Sequence, residues 1–379
     1  MEKTYLLTPG PTPLPPQVRK ALSQQIIHHR TPQFQEILKE CTQGLKEVFK
    51  TKNDVYILAS SGTGAMEAAV VNLLSAGEGA ICVQAGKFGE RWTELCKAYN
   101  IKAEIIDVEW GRAVKPEAIE AKLKANSNIK AVFTTLCETS TAAATDIKAL
   151  GAVVKNTGAA LVVDAISGLG AVNLDTDNWG VDVVVVGSQK GLMLPPGLAF
   201  ISMSQKAQKL MAIANLPRYY FDMRKAKKAM EKTDTPFTPA VSLVIALKEA
   251  LKMIKEEGLE NCFKRYSIYA KACRAAAKAI GLEIYAKDIS DAVTAIRLPE
   301  TIDGEKLVKT MRDTYGVGIA GGQAELKGKI VRIAHMGYIT AKDTVTALEC
   351  LEKVLNEMGY KFELGAAVKA AKDILKKTK

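Results

Sequence analysis

The stretch Val183–Gly197, VVVVGSQKGLMLPPG, carries the strongest fold signal in the chain. Four consecutive valines leave no polar face, so they read as a strand covered on both sides, as in a parallel sheet flanked by helices. Gly187-Ser188-Gln189 breaks the run, Lys190 follows among small and apolar residues, and Leu194-Pro195-Pro196-Gly197 makes a sharp turn. In open sheets of this kind, ligands lie beyond the carboxyl ends of the strands. Lys190 stands at such an end. Burying it as a cation is costly, and burial lowers its pKa toward the range where the free amine is a nucleophile. A lysine whose stem simply leads back to solvent fits the position equally well.

Six more short apolar runs have the same character: Val55–Ala59, Ala80–Gln84, Ala103–Val108, Ala131–Thr135, Leu161–Asp164 and Leu198–Ser202. Helical patterns fall between most of them, at Ala65–Leu74, Glu90–Tyr99, Pro116–Ala125 and Ile147–Thr157. This alternation predicts an α/β fold with a mainly parallel seven-stranded sheet. Residues 16–50 read as helical, from the spacing of Phe34, Ile37, Leu38, Leu45 and Val48. Before them, Pro9, Pro11, Pro13, Pro15 and Pro16 exclude a helix, so residues 1–16 form an extended arm lying across something larger. Residues 240–280 are helical. From 282 the period changes, with strand-like Leu282–Ala286, Val293–Leu298, Val317–Ala320 and Ile330–Ala334 and helices at Gly304–Thr314 and Lys342–Met358. That is a smaller α+β C-terminal domain. The expected division is an arm (1–16), a large domain (17–260) and a small domain (261–379).

The 379 residues carry 52 basic and 41 acidic side chains, a formal net charge of +11. The excess is scattered, which argues against nucleic acid as a partner. Its densest stretches, Arg224–Lys228 and Lys376–Lys379, read as a solvated helix face and a frayed tail. Seven cysteines are widely spaced with no CxxC pair, so they read as reduced thiols of a cytoplasmic protein, with no metal site. The first residues lack the apolar core of a signal peptide, and no run reaches 18 apolar residues, so neither secretion nor a membrane span is expected. The final KTK is not a peroxisomal address.

Two more strand ends carry chemistry. Ser61-Gly62-Thr63 leads from Val55–Ala59 straight into a helix. Small residues, hydroxyls and a helix N-terminus make an anion cradle, although a well-capped turn would look the same. Asp164 closes another strand, either capping a turn or presenting a fixed anion. The combination is more specific than its parts. Pyridoxal phosphate needs an amine for its aldehyde, a carboxylate beside its ring nitrogen and an anion site for its phosphate. Lys190, Asp164 and the Ser61–Thr63 turn supply one of each.

The chain resembles the class V aminotransferases of fold type I, specifically their alanine–glyoxylate and serine–pyruvate branch. The resemblance runs through TPGPTPLPP (Thr8–Pro16), HHRTPQF (His28–Phe34), SGTGAMEAA (Ser61–Ala69), GKFGERW (Gly86–Trp92), ETST (Glu138–Thr141), VVDAISGLG (Val162–Gly170), GSQKGLMLPPG (Gly187–Gly197), TPFTPAVSL (Thr235–Leu243) and KIVRIAHMG (Lys329–Gly337). It implies that Lys190 holds the cofactor as a Schiff base and carries the proton between Cα and C4′. Asp164 would pair with the ring nitrogen. Ser61, Gly62, Thr63 and Gln189 would bind the phosphate, Phe88 would stack on the ring, and Thr139 would hydrogen-bond near it. Thr238 would reach the phosphate of the neighbouring subunit's cofactor, and Arg332 would grip the substrate carboxylate. The arm, with Gly10, would lie near the substrate. The chain departs from the family pattern where many relatives have glycine after ETST, since here the run is Ala142-Ala143-Ala144. Some relatives also carry His and Tyr in place of Thr63 and Thr235.

The implied reaction is a ping-pong transamination from a small amino acid, alanine or serine, to glyoxylate or pyruvate, in a homodimer with shared sites. An aminotransferase acting on 2-aminoethylphosphonate or phosphoserine would want a further cationic pocket, for which His28, His29 and Arg30 are candidates. A cysteine desulfurase would need a cysteine on the loop Val317–Lys329, which has none, and Cys350 falls in a predicted helix. A basic nucleic-acid-binding protein on a retained fold would not need Lys190, Asp164 and Arg332 intact.

Overall fold

The valines of Val183–Gly187 divide between two cores: Val184 and Val186 join one, Val183 and Val185 the other. This period-two split belongs to a strand with both faces covered. It is one of seven in the main sheet of the computed structural model, which describes residues 5–376.

In chain order the first elements are β1 (Tyr5–Leu6), α1 (Pro16–Leu22), α2 (Pro32–Phe49), β2 (Val55–Ala59), α3 (Gly62–Leu73), β3 (Gly79–Gln84), α4 (Lys87–Ala98), β4 (Lys102–Asp107), α5 (Pro116–Ala125) and β5 (Ile129–Thr135). Then come β6 (Cys137–Glu138), β7 (Ala143–Ala144), α6 (Ile147–Val154), β8 (Ala160–Asp164), β9 (Val183–Gly187), β10 (Leu198–Met203), α7 (Gln205–Ile213), α8 (Met223–Met230), α9 (Val241–Glu257) and α10 (Leu259–Ala279). The last are β11 (Val293–Arg297), α11 (Gly304–Asp313), β12 (Val317–Gly318), β13 (Ala320–Gly321), β14 (Ile330–Ala334), α12 (Ala341–Glu357) and α13 (Ala366–Lys376).

The main sheet runs β2-β10-β9-β8-β5-β3-β4. Neighbours pair in parallel except at β10, which is antiparallel to β2 and β9. The carboxyl ends of β2, β5, β8 and β9 therefore share one edge with the start of β10, where Leu198 pairs with Ala59 and Ala199 with Gly187. All seven runs read from the sequence form this sheet, with ends moved by at most two residues. Helix α3 is buried along ten of its twelve residues. Its Gly and Ala positions let it lie close to the strands, and burial of Met66, Val70 and Leu73 contributes about 1.5–3 kcal/mol each. That packing fixes the helix N-terminus at the sheet edge.

Beyond α10, β11, β14 and β13 form a smaller antiparallel sheet. Ile296, Val331 and Ile333 share its core with Leu307, Leu348 and, from the arm, Leu7. The arm adds β1 in parallel to β12, with Leu7 donating to the Gly318 carbonyl and accepting from Ala334 N.

Three expectations are corrected. Leu282–Ala286 is not a ladder strand: Ile284 makes one bridge to Ile296. The chain then leaves to bond elsewhere, Lys287 N to the Gly111 carbonyl and Ser290 N to the Ala142 carbonyl. Val317–Ala320 is split, because β12 pairs with the arm and β13 with β14. The helical region 16–50 is two helices, the second restarted at Pro32 with Thr31 as its N-cap. Helices α7 and α13 had no counterpart in the sequence reading. Arg224–Lys228 does lie on a helix, α8, and of the C-terminal basic run only Lys376 falls within the described residues.

Candidate active site

At the end of β2, Ser61 is the N-cap residue of α3, yet its side chain makes no capping bond and no acidic residue occupies the first turn. The helix thus presents a favourable dipole with its natural counter-charge missing. Gln189 converges on the same place. A Cβ on Gly187 would lie 3.0 Å from Gln189 Oε1 and 3.5 Å from Gly62 N. That Oε1 is buried with no hydrogen-bond partner among the described residues. Thr63 Oγ1 accepts from Arg91 Nη1 at 3.3 Å, and the Arg91 guanidinium lies 5.1 Å from the Phe88 ring centre.

Lys190 sits three residues after β9 in a loop locked by Ser188, whose hydroxyl donates to the Pro195 carbonyl at 2.6 Å and accepts from Leu198 N at 3.2 Å. The arm closes over it. Thr12 N donates to the Gln189 carbonyl (3.1 Å), Thr12 Oγ1 donates to the Lys190 carbonyl (3.0 Å), and Lys190 Nζ donates to the Pro9 carbonyl. Gly10 has φ +98°, and a Cβ there would come within 2.4 Å of the Lys190 side chain, so only glycine fits. Lys190 is 8% exposed, and burial pulls its pKa from 10.5 down to about 8, with Asp164 opposing. The snorkelling alternative is thereby excluded.

Asp164 closes β8, is 5% exposed and accepts from Ile166 N at 2.8 Å. Burial raises its pKa to about 7; nearby Glu138 adds to the rise, while Ile166 N, Arg91 and Lys190 oppose it. A cationic partner would restore its ionised form.

Arg332 projects from β14. Its Nε donates to the Gly321 carbonyl at 2.9 Å and its Nη1 to the Thr139 carbonyl at 2.8 Å. It is 6% exposed, and burial lowers its pKa to about 10, with Glu138 opposing. Among the described residues no carboxylate lies in ion-pair contact with it; every arginine in such a pair is another. Its remaining guanidinium N–H groups could take an anion in a bidentate contact. Thr139 Oγ1 donates to Ser167 Oγ at 2.5 Å, in the loop that follows Asp164.

The edge thus brings together an amine, a carboxylate, a guanidinium and an open helix N-terminus with an orphaned amide beside it. These residues fit pyridoxal phosphate. Lys190 is available for its aldehyde, Asp164 for its ring nitrogen, and Ser61, Gly62, Thr63 and Gln189 for its phosphate. Phe88 is half-buried in the first turn of α4. Thr238 is exposed and makes no hydrogen bond within the described chain. Its segment is held by Phe237 stacking on Tyr220, ring centres 5.1 Å apart. Of the candidates for a further cationic pocket, Arg30 is spent on Asp234 and the Thr235 carbonyl, and His28 and His29 stack on each other. Ala142 keeps the left-handed backbone, φ +64°, that a glycine would take. Sequence reasoning gave no role to Pro9, Thr12, Arg91, Glu138 or Ser167. Only Glu138 left a signal, as an acid directly after an apolar run.

Residues 4–346 match the family model for class-V aminotransferases. The chain is 45% identical, over 99% of both sequences, to a protein from Synechococcus sp. (strain PCC 6716) named soluble hydrogenase, small subunit. It is 35% identical to the serine–glyoxylate aminotransferase of Methylorubrum extorquens, covering 99% of this chain and 96% of that one. The crystal structure of ureidoglycine–glyoxylate aminotransferase from Bacillus subtilis superposes with a TM-score of 0.95 at 30% identity, over 99% of each chain. No helix among the described residues is long and apolar enough to cross a membrane.

Proposed function

The chain belongs to the class-V aminotransferases, and on that basis we propose that it moves an amino group from alanine or serine to glyoxylate or pyruvate by a ping-pong mechanism. It is a fold type I, pyridoxal-phosphate-dependent aminotransferase. The observation that carries the finer reading is Arg332: a buried guanidinium, oriented by two carbonyls and in ion-pair contact with no carboxylate among the described residues, near a buried amine of lowered pKa. One such grip suits a substrate that offers a single carboxylate. It serves amino acid and 2-oxo acid in turn, as a one-site ping-pong cycle requires.

When bound, the cofactor supplies an electron sink for the pair left behind as Cα loses its proton. The chain does the rest. Asp164 would hold its charge against the ring nitrogen, and the α3 N-terminus with Ser61, Gly62, Thr63 and Gln189 would hold the phosphate. Phe88 would stack on the ring, and Thr139 would hydrogen-bond near it. With the cofactor bound, Lys190 would be the base that takes the proton from the donor Cα and gives one back to Cα in the reverse half-reaction. The arm, through Pro9 and Gly10, excludes water from Lys190. Thr238 completes the phosphate site of a second copy in a homodimer.

Alanine, serine, aspartate, phosphoserine and 2-aminoethylphosphonate, each assayed against glyoxylate and pyruvate, test this reading. Alanine or serine with glyoxylate should give the largest kcat/KM, with parallel lines in double-reciprocal plots. A clear preference for either phosphorylated or phosphonate donor would overturn it.

A further inference from the structure

We infer that Glu138 is a positioning residue that holds the ring-covering helix and the carboxylate grip in one frame. The inference rests on the site roles proposed above for Phe88 and Arg332. Glu138 closes the two-residue strand β6 and is 1% exposed. Its Oε2 accepts from Gly89 N at 2.9 Å and Phe88 N at 3.2 Å, and its Oε1 from Ser140 N at 3.1 Å and Ser140 Oγ at 2.5 Å. No cation forms an ion pair with it among the described residues. Burial pushes its pKa up, and these neutral donors pull it back.

The Phe88 and Gly89 N–H groups are orphan donors in the first turn of α4, whose N-cap residue, Gly86, has no side chain to offer. Helices α6, α7 and α12 are capped locally, by Asp146, Ser204 and Thr340. For α4 the cap comes from about 50 residues away. Gly86 makes room for it: a Cβ there would lie 2.3 Å from Ser140 Oγ and 2.7 Å from Glu138 Cγ and Cδ. The residue after Glu138 performs the other function. Thr139 accepts from Arg332 through its carbonyl and donates to Ser167 through its hydroxyl. Three consecutive residues, Glu138–Ser140, therefore tie α4 with Phe88, β14 with Arg332, and the loop after Asp164. Loss of the carboxylate frees the α4 cap and the Thr139 backbone together, so it should disturb the cofactor and substrate carboxylate sites at once.

The test compares Glu138→Gln, Ser140→Ala and Ser204→Ala with the wild-type holoenzyme. Ser204→Ala removes a helix cap away from the site. Dissociation constants for pyridoxal phosphate, visible circular dichroism of the bound cofactor, and KM for alanine and glyoxylate are measured with the unfolding midpoint. Glu138→Gln should weaken cofactor binding and raise both KM values about tenfold, with reduced dichroism, as expected for losing a charged acceptor. Ser140→Ala, the milder change should Glu138→Gln not fold, should move the same readouts in the same direction by about threefold. Ser204→Ala should lower the unfolding midpoint alone. Wild-type dichroism, affinity and KM in a folded Glu138→Gln or Ser140→Ala variant would overturn the inference, as would equal effects from Ser204→Ala. A wild-type protein that takes up no pyridoxal phosphate would instead sink the underlying reading.

Discussion

Arg332 reaches back 193 residues to donate Nη1 to the Thr139 carbonyl at 2.8 Å. Its Nε is fixed on Gly321. A guanidinium has five N–H donors. Two are spent on carbonyls that neutralise nothing, and three remain for an anion. The bonds aim the fork without satisfying its charge, which is what the carboxylate-binding role proposed for Arg332 requires.

Replacing Arg332 by Gln should therefore lower kcat/KM for alanine and for glyoxylate alike. The expected loss is about a hundredfold, roughly 3 kcal/mol for a charged bidentate contact. Arg332→Lys should recover only part, because an ammonium cannot form the fork. Steady-state kinetics in both half-reactions check this, and an unchanged KM for both substrates would remove Arg332 from the substrate site.

Asp164 predicts a pH dependence of the cofactor-free protein. Its folded pKa, about 7, lies above its ordinary value of 3.8. Between those values the unfolded chain is ionised while the folded one holds the proton, so the wild-type apoprotein loses stability as pH rises from 4 to 7. Asp164→Asn carries no such penalty. The stability of apo Asp164→Asn relative to wild type should grow across that window, by about 4 kcal/mol, and level off above pH 7. Pyridoxal phosphate should then stabilise wild type more than the variant. Denaturant unfolding at several pH values measures both, and a flat difference would refute the assignment.

Lys190 predicts a rate. With a pKa near 8, its amine becomes a free nucleophile well below the pH needed by an ordinary lysine at 10.5. Capture of pyridoxal phosphate by the apoprotein should speed up as pH approaches 8 and flatten above it. Borohydride reduction followed by peptide mass mapping should place the added mass on Lys190, and Lys190→Ala should show none. Label on another lysine would displace Lys190 from its role.

Much of this was legible because the deciding signals are local. The valines of β9 expose no polar face, Asp164 ends β8 and Lys190 lies three residues beyond β9, so the topology brings them to one edge. The weaker readings depend on distant partners. Nothing beside Arg332 reveals that its acceptor is Thr139, and nothing in the proline-rich arm shows that Thr12 clasps the Lys190 loop. Glu138 was hidden because its strand is two residues long and the helix it caps starts about 50 residues earlier. Leu282–Ala286 had the composition of a strand, but pairing at Gly111 and Ala142 drew the following residues away.

Ala142 gives the last prediction. It holds φ +64° in the loop that carries Thr139, with its N–H on the Glu138 carbonyl at 2.8 Å and its carbonyl accepting from Ser290 N at 3.1 Å. An L-residue there costs about 1–2 kcal/mol relative to glycine. Glycine would remove that strain, but it would add about 0.5–1 kcal/mol of unfolded-state entropy and strip a buried methyl worth about 0.8 kcal/mol. These terms nearly cancel, which accounts for the tolerance of alanine at this left-handed position. Ala142→Gly should thus change stability by less than about 1 kcal/mol in either direction. Ala142→Val has no such compensation: a β-branched side chain is strongly disfavoured at positive φ, and the buried site is already filled. It should cost about 3 kcal/mol and loosen Thr139, raising KM for both substrates. Denaturant melts of the two variants decide the matter, because an Ala142→Val variant as stable as wild type would be incompatible with a left-handed residue at this position.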